Sequence, residues 1–162
     1  TQRRRQRQMC IRDSININQN EQAREAERAV LGGLMLETQR FDTVIQVIKE
    51  NDFDGKDHQI IFQSMSELIE ENKPLDPLTV SEKLDNKNSL NKVGGKEYLI
   101  ELATSTPSAA NLEAYAEIIR QRSITRKLMK ANSDISELIS NPQGQDGVSL
   151  LDKAESLSLI HI

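Results

Sequence analysis

The sequence has no tryptophan, three phenylalanines, two tyrosines and one cysteine among 162 residues, so aromatic side chains make up only 3% of it. A lone Cys10 cannot form an internal disulfide, which excludes a small fold stapled by disulfide bridges. Two histidines, His58 and His161, lie far from each other and from Cys10, so no zinc ligand set has the usual spacing. No metal site is expected. There is no secretory leader and no apolar run long enough to span a bilayer, so a soluble, cytoplasmic protein with no membrane partner is expected. With so few aromatics, a core has to be built from Leu, Ile, Val, Ala and Met, and 162 residues suit one domain with an arm.

Catalytic patterns are also missing. No Ser, Cys or Lys nucleophile stands in a motif with a histidine base. Glu70 and Glu71 are adjacent on a helix and point in different directions, which suits a charged surface better than acid–base work. Gly94-Gly95 lacks the Lys-Ser/Thr of a phosphate-binding loop. Catalysis by this chain is not expected, and no cofactor is assigned to it.

What the chain has is charge, unevenly placed. The formal net charge is −4, yet residues 1–14 hold five of the 21 basic residues (Arg3, Arg4, Arg5, Arg7, Arg12) and one of the 25 acids, leaving 16 basic against 24 acidic residues elsewhere. A basic arm on an acidic body is one signature of nucleic-acid binding. The favoured reading is that residues 1–14, and residues 157–162 with their SLIHI ending, are non-native tails resembling translated adapter sequence, because neither continues the neighbouring periodicity.

Between those ends the apolar periodicity is helical. Ala26, Val30, Leu34 and Met35 form the stripe of a first helix, with Glu27, Arg28 and Glu37 assigned to its wet side. Gly32 and Gly33 inside it cost about 1 kcal/mol each relative to Ala, which points to close approach of another helix. A second helix runs from Phe41 to Lys49. The clearest stripe, His58, Ile61, Phe62, Met65, Leu68 and Ile69, marks a buried central helix over 57–72. His58 on that stripe reads as a packed, hydrogen-bonded group near the helix start, although the sequence reveals no partner for it.

Pro74 and Pro77 separate this helix from the next, for which Thr79 and Glu82 have capping-box spacing. A polar loop from Asp85 to Lys92 ends at Gly94-Gly95, and Tyr98, Leu99, Leu102 and Ala103 mark another short helix. Ser108 is the expected cap of a long pattern over 109–140 free of Gly and Pro. As one helix it would reach ~48 Å, so part of it should project. A turn at 141–147 and a returning helix from Val148 complete a hairpin.

The expected fold is therefore all-α: a compact helical subdomain over 15–107, then a long antiparallel helical hairpin over 108–156. An apolar stripe on a projecting hairpin has to be covered by another subunit or protein, or else by the body itself. The candidate protein–protein interface is Tyr115, Ile119, Arg122, Arg126, Leu128, Ile135 and Leu138. Arg120, Arg122, Arg126, Lys127 and Lys130 form a basic cluster, read as a solvated helix surface or a dock for an acidic partner or phosphate backbone. No aromatics interleave it, which weakens the nucleic-acid alternative, a small helical binder using the Arg3–Arg12 arm and the Arg120–Lys130 face.

Several fragments in order resemble one family. They are Glu25-Ala26-Glu27 before Val30-Leu31-Gly32-Gly33-Leu34-Met35-Leu36, Asp52-Phe53, His58, Ile61-Phe62, Pro74-Leu75-Asp76 with Thr79-Val80, Gly94-Gly95-Lys96-Glu97-Tyr98-Leu99, and Thr106-Pro107-Ser108-Ala109-Ala110-Asn111 with Tyr115-Ala116. Across about 21–156 the chain resembles the N-terminal domain of DnaB-family bacterial replicative DNA helicases. Residues 150–156, LLDKAES, resemble that family's returning hairpin helix. Two departures are Asp54, where the family usually has tyrosine, and residues 16–20 in place of a Pro-containing approach; the second implies that native sequence begins near residue 15 or later.

The resemblance implies a collar of paired protomers on a hexameric ring that encircles single-stranded DNA, with primase docking on the collar and a helicase loader as a further candidate partner. It also implies that ATP and magnesium belong only to a separate RecA-like motor, and that single-stranded DNA is met only through the full-length ring.

Overall fold

The computed structural model describes residues 20–106, 108–141, 144 and 146–161. Every regular element among them is helical: α1 over 20–36, α2 at Phe41–Val47, α3 at Lys56–Glu70, α4 at Pro77–Asn86, α5 at Gly95–Ser105, α6 at Leu112–Ser140 and α7 at Gly147–His161. Short 3-10 turns at Thr38–Arg40, Glu50–Asp52, Leu90–Val93 and Ala109–Asn111 link several of them. The expected tail at 1–14 lies outside the described residues. At the other end α7 continues to His161, past the expected boundary at 156.

The chain divides into two compact units, Thr1–Arg120 and Gln121–Ile162. The boundary falls within α6 and not at the expected 107/108 break, because the first turns of α6 belong to the core of the first unit: Leu112, Ala116 and Ile119 are buried there.

In the first unit, the aliphatic core surrounds all three phenylalanines of the sequence. Phe62 of α3 stacks on Phe41 of α2, with ring centroids 5.7 Å apart, and lies 4.9 Å from Phe53 in the loop before α3. Such ring pairs add directional attraction to their area burial. α3 packs on α4, and α4 on α5.

Gly32 and Gly33 serve close packing. A Cβ on Gly32 would fall 2.0 Å from Thr106 Oγ1 and 2.1 Å from the Leu102 carbonyl oxygen, and one on Gly33 2.4 Å from Leu112 Cδ2. α1 thus meets the end of α5 and the start of α6 at backbone distance.

The local stops are chemical. Asn72 adopts φ 55° just after α3. Asp76, and not the expected Thr79–Glu82 pair, caps α4: its Oδ1 accepts the Leu78 and Thr79 amides at 2.8 and 2.9 Å, while Thr79 Oγ1 accepts the Asp76 amide at 3.1 Å. Pro77 then occupies the first helical position, where its missing N–H costs nothing. Ser108 Oγ accepts the Ala110 amide at 3.0 Å, so Ser108 caps the 3-10 turn that leads into α6.

Candidate interaction site

Unit by unit, the predicted interface residues have different surroundings. Ile119, in the first unit, is only 1% exposed and belongs to the core of its own chain, so it cannot face a partner. Tyr115 is half-buried and packs against the same core. Their spacing continued the hairpin stripe, but this stretch of α6 spends its apolar face on the globular core.

In the second unit, α6 carries the rest of the stripe. Ala131 is buried, Ile135 and Leu138 are half-buried, and Leu128 is 49% exposed. Ile124, Met129 and Ile139 are exposed on α6, as are Val148, Leu151 and Leu159 on α7. Isolated exposed apolar residues are ordinary, but this many on two helices leaves apolar surface short of cover.

The basic cluster is less available than its spacing suggests. Arg120 donates to the Val47 carbonyl oxygen at 3.1 Å within the first unit. Arg122 and Arg126 are half-buried, and both, with Lys127, are engaged in interactions.

Elsewhere in the first unit lies a polar group that the sequence concealed. Glu27, assigned to the wet side of α1, is 1% exposed. Its Oε2 lies 2.6 Å from Nδ1 of the fully buried His58, and its Oε1 accepts the Asp54 amide at 2.5 Å. His58 Nε2 lies 2.7 Å from the hydroxyl of Tyr98, whose ring runs nearly parallel to the imidazole, at 4°, with the ring centroids 6.1 Å apart. Since Glu27 accepts at both oxygens, Nδ1 is assigned as the donor to it. The tyrosine hydroxyl satisfies Nε2 in either protonation state.

The expectation of a hydrogen-bonded histidine near a helix start holds, with Glu27 and Tyr98 as the partners. The available signal was the position of Glu27 itself, one turn after Ala23 and one before Leu31 on the apolar stripe.

Charged pairs flank this group. Arg24 pairs with Asp57 at 2.7 Å, which raises the Arg24 pKa. Burial pushes the Asp57 carboxyl up, but its hydrogen bond from Arg24 and the nearby His58 hold it below the ordinary carboxylate value. Arg28 pairs with Glu101 at 2.6 Å and sits 5.7 Å from the centroid of the Tyr98 ring. Burial pushes the Tyr98 phenol up. With Glu27 and His58 buried and both ring nitrogens of His58 hydrogen-bonded, the group has the features of a structural lock. Among the described residues no set of three or more His, Cys, Asp or Glu side chains is arranged to hold a metal, and no helix is long and apolar enough to cross a membrane.

These features have counterparts in known proteins. Residues 19–121 match the family described as DnaB-like helicase N terminal domain. A curated relative, the replicative DNA helicase DnaB of Buchnera aphidicola subsp. Baizongia pistaciae, is 42% identical over 132 residues, covering 82% of this chain and 28% of that protein. The chain therefore spans less than a third of the relative's length. The crystal structure of the N-terminal domain of DnaB helicase from Mycobacterium tuberculosis superposes with a TM-score of 0.78 at 29% identity, covering 82% of this chain and 92% of that one. The N-terminal domain of DnaB helicase from Helicobacter pylori, described together with its interactions with primase, gives 0.66 at 28% identity, covering 74% and 94%. An all-helical chain with this helix order, matched over most of its length, belongs to the DnaB-like helicase N-terminal domain family.

Proposed function

We propose that this chain acts as the collar domain of a replicative DNA helicase, associating with further copies of itself and docking primase during DNA replication. The observation that carries this reading is the run of exposed apolar side chains on α6 and α7 in the second unit, Leu128 and Met129 above all. Their exposure in a single chain supports cover by another protein surface. Similarity to the Helicobacter pylori domain, described with its interactions with primase, supports primase as one such partner.

In this proposal the chain performs no catalysis. ATP and magnesium act at a motor domain, since no phosphate-binding loop occurs in these residues. Single-stranded DNA is met through a hexameric ring, a helicase loader is a further partner, and the protein works in the cytoplasm. The competing reading, a helical nucleic-acid binder using the Arg3–Arg12 arm and the Arg120–Lys130 face, has its arm outside the described residues and is weakened at the face, where Arg120, Arg122, Arg126 and Lys127 already have interactions.

The test is Leu128→Asp in the full chain, followed by circular dichroism and light scattering. Unchanged helix content with a lowered association state is expected. Loss of helix content would put Leu128 in the fold's own core, and an unchanged association state would remove this face from the proposed interface.

A further inference from the structure

α1 is located by two different means along its length. Its C-terminal half is fixed sterically, because Gly32 and Gly33 let Leu102, Thr106 and Leu112 come within reach of the backbone. Its N-terminal half has no such feature. The buried apolar residues there are Ala23 and Ala26, whose small side chains offer neighbouring helices few knobs to grip. With so smooth a face, this half of the helix can pivot away from α3 and α5 about the fixed C-terminal half with little loss of apolar contact.

Along this same half, all the polar links from α1 to α3 and α5 fall within five residues. Arg24 reaches Asp57 at the start of α3, Glu27 reaches His58 of α3 and through it Tyr98 of α5, and Arg28 reaches Glu101 of α5. Arg24, Glu27 and Arg28 are spaced three and four apart, so they share a face of the helix. The two outer pairs are partly exposed, whereas the inner Glu27–His58 pair is dry and Tyr98 is half-buried.

Hydrogen-bond distances tolerate a few tenths of an ångström, so a pivot that displaces this half by about 1.5 Å, the rise of one helical residue, breaks the inner links together. Buried ionic groups are often replaceable by apolar side chains without loss of stability, and their best-attested use is to fix register.

We infer that Glu27, His58 and Tyr98 form a register lock, a polar seam whose role is to fix the position of α1 on α3 and α5 and not to add net stability. Glu27 is the positioning residue from α1. His58 is the bridge, and Tyr98 carries the link to α5.

The full chain carrying Glu27→Met, His58→Phe and Tyr98→Phe together tests this, because it replaces the seam with apolar side chains throughout. The expected result is a folded domain whose thermal midpoint falls by only a few degrees, because the Asp54 amide alone loses its acceptor. Hydrogen-exchange protection over 22–30 falls by about tenfold or more relative to α3, or the α1 amides give doubled nuclear magnetic resonance signals. Equal protection of α1 and α3, with one set of signals, would overturn the inference by leaving register to apolar packing. Failure of the triple variant to fold, or a uniform loss of protection in every helix, would also overturn it by making the seam a net stabiliser. Tyr98→Phe alone, which keeps the ring and removes only the hydroxyl, gives a second reading. Selective loss of protection in α1 and α5 supports the lock, and a uniform loss or none contradicts it.

Discussion

Oε2 of Glu27 stands 2.6 Å from Nδ1 of His58, joining α1 to α3 through two side chains that water does not reach. Removing the carboxylate alone would strand the imidazole N–H and the Asp54 amide, which Glu27 also accepts. Breaking such a buried pair from one side typically costs about 3–5 kcal/mol. Glu27→Ala should therefore lower the unfolding free energy by that order in urea titration. A loss under about 1 kcal/mol would mean that water or another group takes over both donors.

Gly32→Ala gives a steric test. Alanine is the better helix former by about 1 kcal/mol, so propensity predicts a more stable protein. The new methyl would instead meet Thr106 Oγ1 at 2.0 Å and the Leu102 carbonyl oxygen at 2.1 Å, and the latter is backbone that cannot rotate away. Overpacking of this kind costs about 1–3 kcal/mol, so a lower thermal midpoint is expected. Gly147→Ala, at a helix start with nothing within 4 Å of the added methyl, should be neutral or mildly stabilising. Equal effects at the two positions would refute the close approach at Gly32.

Much of this architecture was legible in the sequence. Stripes such as Ile61-Phe62-Met65-Leu68 located the helices because an apolar face buried on one side must repeat at 3.6 residues. The two glycines within α1 signalled close packing because nothing else in a helix interior rewards their cost. The position of Glu27 on the apolar stripe was the only signal of its burial, since its partners Asp54 and His58 stand 27 and 31 positions away. Ile119 misled for a related reason: one continuous stripe on α6 serves the globular core first and the second unit afterwards, and periodicity carries no mark of the change. The Thr79-x-x-Glu82 spacing predicts a cap at Thr79, yet the Pro77 ring already sets the start of the helix one residue after Asp76.

Acid should act on the surface network that links α3 to α4. Lys73 first, and then Lys83 of α4, hold the Glu71 carboxyl down to about 2 from an ordinary value of 4.5. A carboxyl depressed in the folded state stabilises above its unfolded pKa, and that contribution disappears as pH falls through the folded value. The parent should exceed Glu71→Gln in thermal midpoint at pH 7, and the two should converge between about pH 4.5 and pH 2. Because Glu71 is solvent-exposed, the difference at pH 7 should be small and should shrink in high salt. A difference that persists unchanged to pH 2 would show that the lysine contacts do not produce it.

The exposed apolar residues of α6 and α7 make association the central claim, and solution mass tests it most directly. Multi-angle light scattering of the full chain over a wide range of protein concentration should give a mass that rises above one chain of 18.3 kDa as concentration increases. A mass of one chain at every concentration would contradict the claim that these helices bind further copies of the protein.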